Sequence, residues 1–346
     1  MRARELGITL GELEPGPLNA ITDVEGIRVG HSTIVRGDDV RTGVTVVVPA
    51  ELPAFAAPFR LNGNGEMTGL EWVRESGFLT TPVAITNTNS VGVVRDALVA
   101  AALDDPSHES PWSLPVVAET WDGRLNDING FHVSAEHLRE ALSNAAGGAV
   151  PEGNVGGGTG MVSHGFKGGI GTSSRIVEEG HTVGVLVQAN HGARRRLIID
   201  GVPVGAELGP ERIPLPTGEE SSSTGSIIVV VATDAPLLPH QCDRLARRAA
   251  LAIGRTGGAG ETSSGDLVLA FATGNRSLES DGAVDVTMLA ESSINQLFYA
   301  SIEATEEAIV NALLAAETMS GRGATVHRLD PEQLREVMRA HGRGTR

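Results

Sequence analysis

The dipeptide Gly225–Ser226 joins two stretches of opposite character. Residues 218–234 read GEESSSTGSIIVVVATD, so a polar, serine-rich linker runs directly into an apolar strand. A serine hydroxyl in this position can attack the carbonyl of the preceding residue, and glycine there removes the Cβ that would obstruct the attack. The cut leaves Ser226 with an α-amino group, whose pKa of about 8 suits a general base. The pattern meets the demands of a self-cleaving nucleophile, but Gly–Ser before a strand is common in ordinary loops, so these residues alone favour an ordinary junction.

The glycine-rich stretches do not match a nucleotide-binding loop. A G-x-G-x-x-G pattern that begins at Gly156 meets Met161, and one that begins at Gly258 meets Ser263, where the last glycine is required. No G-K-[ST] ending is present, and there is no G-x-S-x-G nucleophile elbow. These glycines are therefore interpreted as tight turns and places of close backbone approach.

Metal and thiol chemistry have little support. The ten histidines include no H-E-x-x-H motif, and His164, His181 and His191 stand in different sequence contexts. Each is expected to be hydrogen-bonded or solvated. Cys242 is the one cysteine and lies in a helical pattern, which favours a small apolar residue on a packed face. We expect neither a metal nor an organic cofactor.

The elements that must hold Ser226 are apolar strands mixed with helices in both halves of the chain. There is no regular βαβ repeat, and the strands after the linker are so uniformly apolar that they need a partner sheet. We therefore expect an α/β layered sandwich with largely antiparallel sheets, folded as one intertwined domain over 1–346. Strands are predicted at 26–34, 43–49, 81–90, 114–120, 181–192, 226–234 and 264–275. Helices are predicted at 90–103, 134–145, 239–257, 291–319 and 330–342.

Composition limits the partners. The formal net charge of −16 over 346 residues argues against a nucleic-acid surface, which needs a basic stripe. The amino terminus lacks the apolar segment of a signal peptide, and no apolar run approaches the roughly 20 residues of a membrane helix. The sequence therefore predicts a soluble, cytoplasmic protein without a nucleic-acid or membrane partner.

Long motifs spread over nearly the whole chain resemble one family, the self-processing aminopeptidases of the DmpA/BapA type. This family includes L-aminopeptidase/D-esterases and β-aminopeptidases. The motifs are PGPLNAITDVEGIRVGH at 15–31, GEMTGLEWVRESG at 65–77, ETWDGRLNDING at 119–130, FKGGIGTSSR at 166–175, GVLVQANHG at 184–192, GSIIVVVATDAPLLPHQ at 225–241 and EATEEAIVNALLAAETM at 303–319.

The resemblance implies a four-layer α/β/β/α sandwich like that of N-terminal-nucleophile hydrolases, with a different strand connectivity. It implies cleavage between Gly225 and Ser226 into an α-chain, 1–225, and a β-chain, 226–346. The two chains are expected to stay together, in a homotetramer of processed units.

The resemblance also assigns roles to catalytic residues. Ser226 corresponds to the family's nucleophile, Ser264 and Asp266 to its assisting serine and acidic residue, and Asn190 to the asparagine that binds the oxyanion. Such groups suit proton transfer to a leaving amine and stabilisation of a tetrahedral intermediate. Without the resemblance they are interpreted as a strand-capping serine, an exposed aspartate and a loop asparagine.

Substrate recognition is implied at three places. Glu119 matches the family's acidic residue near the substrate amine, and a carboxylate there pairs with a free ammonium group. Trp121 stands where many members carry tyrosine, and because indole cannot act as an acid/base hydroxyl, the pocket is expected to be reshaped. Asn87 and Asn89, in the NTNS loop, are further pocket candidates by their position in the family.

Together these features predict a serine aminopeptidase that releases small N-terminal residues from short peptides, amino-acid amides and esters through an acyl-enzyme on Ser226. One alternative is an acyltransferase, because the same acyl-enzyme can pass its acyl group to an amine. Another is an uncleaved, non-catalytic binding protein on the same scaffold. The serine nucleophile and Glu119 favour hydrolysis.

Overall fold

The computed structural model describes residues 1–104, 112–216, 225–278 and 282–344. Most of the polar linker predicted before Ser226 therefore lies outside the described residues. The strands are, in chain order, β1 (Arg28–Arg36), β2 (Val40–Val48), β3 (Ala54–Gly63), β4 (Phe78–Leu79), β5 (Val83–Asn87), β6 (Val116–Thr120), β7 (Val162–Ser163), β8 (Phe166–Lys167), β9 (Gly169–Ile176), β10 (Thr182–Asn190), β11 (Ser226–Thr233), β12 (Gly265–Ala272), β13 (Met319–Gly321) and β14 (Ala324–Val326). The α-helices are α1 (Leu70–Ser76), α2 (Val91–Leu103), α3 (Ala135–Ser143), α4 (Val204–Glu207), α5 (Pro239–Arg255), α6 (Ile294–Ala315) and α7 (Pro331–Ala340).

Two sheets form the centre of the fold. One has the order β1-β2-β5-β6, and the other has the order β4-β3-β12-β11-β10-β9. Every neighbouring pair in them is antiparallel except β5 with β6 and β11 with β12. The larger sheet takes strands from both sides of the Gly225–Ser226 dipeptide, so its hydrogen bonds join the two halves of the chain.

Helices cover the outer face of each sheet. α2 and α3 pack on the smaller sheet, and α5 and α6 pack on the larger one. One apolar cluster fills the space between the sheets. A second lies between the larger sheet and its helices, and a third lies between the smaller sheet and its helices. These layers form an α/β/β/α sandwich, which confirms the predicted fold class.

Strand β11 shows why the segment after Gly225 is apolar at successive positions. Ile227 and Val229 face the helix layer, whereas Ile228 and Val230 face the other sheet. All four side chains are fully buried. Since neither face meets water, the usual alternation of polar and apolar residues is absent. The strand is therefore a rigid support for the serine at its first position.

Three strands of the larger sheet were not predicted from the sequence, and one of them, β4, has only two residues. β3 contains Pro58, which is tolerated because β4 pairs only with Ala54 and Phe55, so Pro58 lies where that side of the strand has no neighbour. β9 lies in a glycine-rich segment. Its Gly171 allows α6 to approach closely, since a Cβ there would lie 2.0 Å from the carbonyl oxygen of Ala308.

The helix predicted over 291–319 is shorter at both ends. It runs from Ile294 to Ala315, and the chain then turns extended at Ala316. Asn154 holds this exit, because its side chain accepts a hydrogen bond from the backbone N–H of Glu317 and donates one to that residue's carbonyl oxygen. A tertiary contact therefore ends a helix that local propensity would continue. Within the described part of the chain, no helix is long and apolar enough to cross a membrane.

Candidate active site

Ser226 is the first residue of β11, and its side chain is buried beside the start of β12. Its Oγ accepts a hydrogen bond of 3.0 Å from the backbone N–H of Gly265. Gly225, immediately before it, packs against the end of β10. A Cβ added there would lie 1.8 Å from the carbonyl oxygen of Asn190, so no larger residue fits without a shift of the backbone. Close packing is thus a second reason for glycine before the serine.

Ser264 and Asp266 form a buried pair next to Ser226. The parallel register sets Asp266 opposite Ile227, which brings the start of β12 alongside the start of β11. The hydroxyl of Ser264 donates to Oδ1 of Asp266 at 2.5 Å. Burial raises the pKa of Asp266 to about 6, while the hydrogen bond from Ser264 acts in the opposite direction. The pair can therefore change its protonation state near neutral pH.

Asn190 closes the other side of the site as the last residue of β10. It lies opposite Ser226 in the antiparallel ladder. Its side-chain amide is fixed at both ends, because Oδ1 accepts from the backbone N–H of Val162 at 2.7 Å and Nδ2 donates to the carbonyl of Trp121 at 3.0 Å. An amide nitrogen carries two donors, so one N–H beyond the bond to Trp121 is available to a ligand.

Glu119 is a buried carboxylate near the end of β6. Its Oε1 accepts from the backbone N–H of Glu66 at 2.9 Å, and its Oε2 accepts from the hydroxyl of Thr88. Burial raises the pKa of Glu119, and the two hydrogen bonds partly offset that effect. The carboxylate is therefore held in one orientation by two donors that favour its charged form.

The NTNS loop reaches Glu119 through Thr88, which sequence reasoning did not single out. Asn87 is buried and donates to Oγ1 of Thr42 at 2.7 Å, while Asn89 lies nearer the surface and donates to Oδ1 of Asn129 at 3.1 Å. The parallel pairing of β5 with β6 sets the end of β5 beside Glu119. Only this register, which the sequence does not reveal, could have identified Thr88.

The indole of Trp121 is 41% exposed, which leaves it open to a ligand. Its ring lies against the backbone of Gly123, where an added Cβ would come within 2.5 Å of it. Trp121 directly follows the end of β6, the strand that contains Glu119. The indole is therefore a candidate for the surroundings of the buried carboxylate by its position in the sequence.

His191 corrects the expectation that each histidine is hydrogen-bonded or solvated, whereas His164 meets it, because its Nδ1 lies 3.3 Å from the carbonyl oxygen of Ala193. Their rings meet edge to face, 5.0 Å between centroids, and both side chains are buried. In the described part of the chain, Nε2 of His164 and both ring nitrogens of His191 have no hydrogen-bond partner. Burial lowers the pKa of His164 to about 4 and that of His191 as well, so both rings are neutral. Apolar packing explains the pair, and nowhere in the described ranges do three or more possible metal ligands form a group.

A cavity of about 1170 Å³ borders the site without containing it. Its wall includes Ser263, next to Ser264, and Ala193, shortly after Asn190. Neither Ser226 nor Glu119 lines it. The catalytic candidates are therefore grouped by strand register, at the end of a sheet, and not by this cavity.

Comparison with known proteins places this arrangement among peptidases. Residues 19–326 match the model of peptidase family S58. The β-peptidyl aminopeptidase BapA of Sphingosinicella microcystinivorans is 47% identical, over 99% of this chain and 93% of that protein.

Solved structures agree with this match. A β-aminopeptidase of a Burkholderia species superposes with a TM-score of 0.92 at 51% identity, and 99% of each chain is covered. The L-aminopeptidase D-Ala-esterase/amidase of Ochrobactrum anthropi, described as a variant of the Ntn hydrolase fold, has the same TM-score at 45% identity, again over 99% of each chain. The resemblance seen in the sequence motifs is confirmed.

Proposed function

The chain belongs to peptidase family S58 and is an aminopeptidase, and we propose that it is a self-processing serine hydrolase whose nucleophile is Ser226. The observation that carries the proposal is the position of Ser226 at the first residue of a buried strand. Asn190 stands on one side of it, and the Ser264–Asp266 pair stands on the other. The buried strand β11 holds Ser226 rigidly, as a reacting group requires.

In the first step, Oγ of Ser226 attacks the carbonyl carbon of Gly225, an ester forms as the Gly225–Ser226 peptide bond breaks, and water then hydrolyses this ester. The products are an α-chain of 1–225 and a β-chain of 226–346, held together by the shared sheet in one intertwined domain. The new α-amino group of Ser226 can take up the hydroxyl proton, because its pKa lies far below that of a lysine. Gly225 supports this step by leaving the carbonyl unobstructed.

In the second step, the same hydroxyl attacks the carbonyl of a bound substrate. Asn190 donates its second amide N–H to the oxygen of the tetrahedral intermediate. Ser264, polarised by Asp266, passes a proton to the leaving amine, and water then hydrolyses the acyl-enzyme. Besides water, the proposed steps use side chains and, once cleavage has occurred, the new amino terminus, without a metal or an organic cofactor.

Glu119 gives the enzyme its preference for a free amino terminus. Its carboxylate, oriented by Thr88 and the N–H of Glu66, pairs with the substrate ammonium. Trp121 supplies an apolar wall beside it, and Asn87 and Asn89 remain candidates for the outer pocket. We propose that the substrates are short peptides and amino-acid amides or esters with small N-terminal residues. Because the similar Sphingosinicella and Burkholderia enzymes are named for β-residues, the proposal includes β-amino acyl groups.

Two further features belong to the proposal, of which the first rests on the family and the second on the sequence. The processed units assemble as a homotetramer, and the protein resides in the cytoplasm. Light scattering after gel filtration tests the first, and fractionation of the source cells tests the second.

The decisive experiment compares the wild type with Ser226→Ala. Intact mass and N-terminal sequencing of the wild type should give fragments of about 23 and 13 kDa, the smaller one beginning at Ser226. The variant should remain a single chain of about 36 kDa without activity on amino-acid p-nitroanilides. Normal turnover by an uncut Ser226→Ala protein would eliminate the mechanism.

A further inference from the structure

Two glycines make a backbone contact between the nucleophile and the amine-binding carboxylate. Gly265 donates its N–H to Ser226 Oγ at 3.0 Å. Gly65 directly precedes Glu66, whose N–H donates to Oε1 of Glu119 at 2.9 Å. A Cβ added to Gly265 would lie 2.7 Å from the Cα of Gly65, so the two backbones touch.

Space, and not backbone conformation, requires glycine at both positions. Neither Gly65 nor Gly265 has a positive φ, so alanine could adopt either backbone conformation. A Cβ on Gly65 would lie 3.0 Å from the Cα of Gly265 and 3.0 Å from Oε1 of Glu119. The contact therefore brings the two segments as close together as a polypeptide backbone allows.

We propose that Gly65 and Gly265 form a spacer that sets the distance between the Glu119 carboxylate and Ser226 Oγ. Through this distance the enzyme selects how many bonds separate a substrate's amino group from its scissile carbonyl. The inference rests on the proposed function, because it assumes that Glu119 binds the amine and Ser226 attacks the carbonyl. The glycines are positioning residues and touch no substrate.

The physical argument follows from the two hydrogen bonds that flank the contact. Ser226 Oγ is tied to one side of the spacer and the Glu119 carboxylate to the other, so neither can move freely toward the other. A β-amino acyl group is longer than an α-amino acyl group by one C–C bond, about 1.5 Å. A displacement of about 1 Å at a reacting centre can cost 10²-fold in rate, so a spacing that suits one length penalises the other.

The test uses two substrates that differ by one methylene: glycine p-nitroanilide and β-alanine p-nitroanilide. Gly65→Ala inserts a methyl group into the contact and widens the gap. The ratio of kcat/KM for β-alanine to that for glycine should rise by about tenfold over the wild type. Gly63→Ala is the control, because it adds a methyl group two residues away, opposite Gly265 in the β3–β12 ladder, and the three atoms nearest to that methyl group all belong to the flexible side chain of Arg60. Its ratio should stay at the wild-type value.

A second variant tests the spacing without touching either glycine. Glu119→Asp withdraws the carboxylate by one methylene, so it should also raise the ratio, even if Gly65→Ala fails to mature. An equal loss on both substrates, or a shift toward glycine, in either variant would overturn the spacer. That result would leave the proposed function intact as long as Ser226→Ala stays uncut and inactive, and the two failures are therefore distinguishable.

Discussion

Asn190 and Ser226 face each other as the last residue pair of the ladder between β10 and β11. The pairing fixes the Asn190 amide on the side of the site opposite the Ser264–Asp266 pair. Because a backbone ladder sets this geometry, the donor is in place before any substrate arrives. Such preorganised donors are worth the most where charge develops during the reaction.

Replacing Asn190 with alanine should lower kcat by about 10²- to 10³-fold and change KM much less. The reason is that the amide N–H is needed chiefly when the carbonyl oxygen becomes negative. Asn190→Asp is the informative companion, since it keeps an oxygen for the N–H of Val162 but lacks the donor. Steady-state kinetics on one p-nitroanilide suffices. Wild-type kcat in Asn190→Asp would contradict the role.

Asp266 should give the enzyme an acid limb in its pH profile. Burial raises the pKa of this carboxyl to about 6, so the group is protonated as the pH falls below that value. A neutral Asp266 polarises Ser264 less, and kcat should decline with it. Asp266→Asn should lower kcat at all pH values, by about 10²-fold or more, and should abolish the limb near pH 6. An unchanged limb in the variant would assign it to another group.

The same substitution should stabilise the protein. Since the pKa of Asp266 in the folded state exceeds its ordinary value of 3.8, its contribution to stability is complete below that value and is lost as the pH rises through about 6. At pH 8 the Asp266→Asn variant should therefore unfold with a free energy higher by on the order of 2 kcal/mol, and at pH 4 the difference should shrink. Urea unfolding at the two pH values measures it. If Asp266→Asn changed the free energy of unfolding equally at pH 4 and pH 8, the proposed link between the pKa of Asp266 and stability would be refuted.

Glu119→Gln should raise KM for free-amine substrates by about 10- to 100-fold, because a charge-assisted hydrogen bond is lost. The enzyme should also lose its discrimination against analogues without the amino group. Glu66→Gln is the control, because its backbone N–H still binds Glu119 while its exposed side chain loses the charge. If Glu119→Gln kept the wild-type KM, amine recognition would have to lie elsewhere.

Thr88→Val should shift the pH dependence of amine binding. The hydroxyl of Thr88 donates to Glu119 and favours its ionised form, while burial raises the pKa of that carboxyl. Without the hydroxyl the pKa should rise further, so KM should begin to increase at a higher pH as the solution is acidified. The profile of kcat/KM, compared with that of Asn89→Ala, reports the shift. Identical acid limbs in wild type and Thr88→Val would contradict this prediction.

The sequence predicted the layers and most of the central strands because buried strands and amphipathic helices carry strong patterns. It missed β4, which has only two residues, and β3 and β9, which contain proline and glycine. The unpaired side of β3 accommodates Pro58, and the close contact with α6 requires Gly171. Ser226 could be identified because a polar, serine-rich stretch changes directly into an apolar strand at this residue.

Contacts across the site could not be predicted in the same way. Thr88 reaches Glu119, and Gly65 meets Gly265, only through strand register and loop packing. The His164–His191 pair likewise joins residues distant in sequence. One sequence carries no record of such pairings, so chemistry-bearing residue types are easier to predict than the residues that position them.

A buried ion cluster should hold the two chains together after cleavage. Arg175, fully buried in the predicted α-chain, pairs with Glu303 at 3.2 Å and Glu307 at 2.7 Å in the predicted β-chain. Glu307 also accepts from Arg4 at 3.1 Å. Removing Glu307 breaks one buried pair and leaves Arg175 with Glu303 alone, and breaking a buried pair typically costs about 3–5 kcal/mol.

Glu307→Gln should therefore lower the free energy of unfolding of the processed enzyme by about 3 kcal/mol and promote separation of the chains at low urea. Glu332→Gln breaks an exposed pair with Arg335 on the same chain and should change stability by less than about 1 kcal/mol. Urea unfolding, followed by gel filtration at each concentration, measures both effects. Equal stability of the two variants would show that the sheet alone joins the chains, because the β10–β11 and β3–β12 ladders would then suffice without the ion cluster.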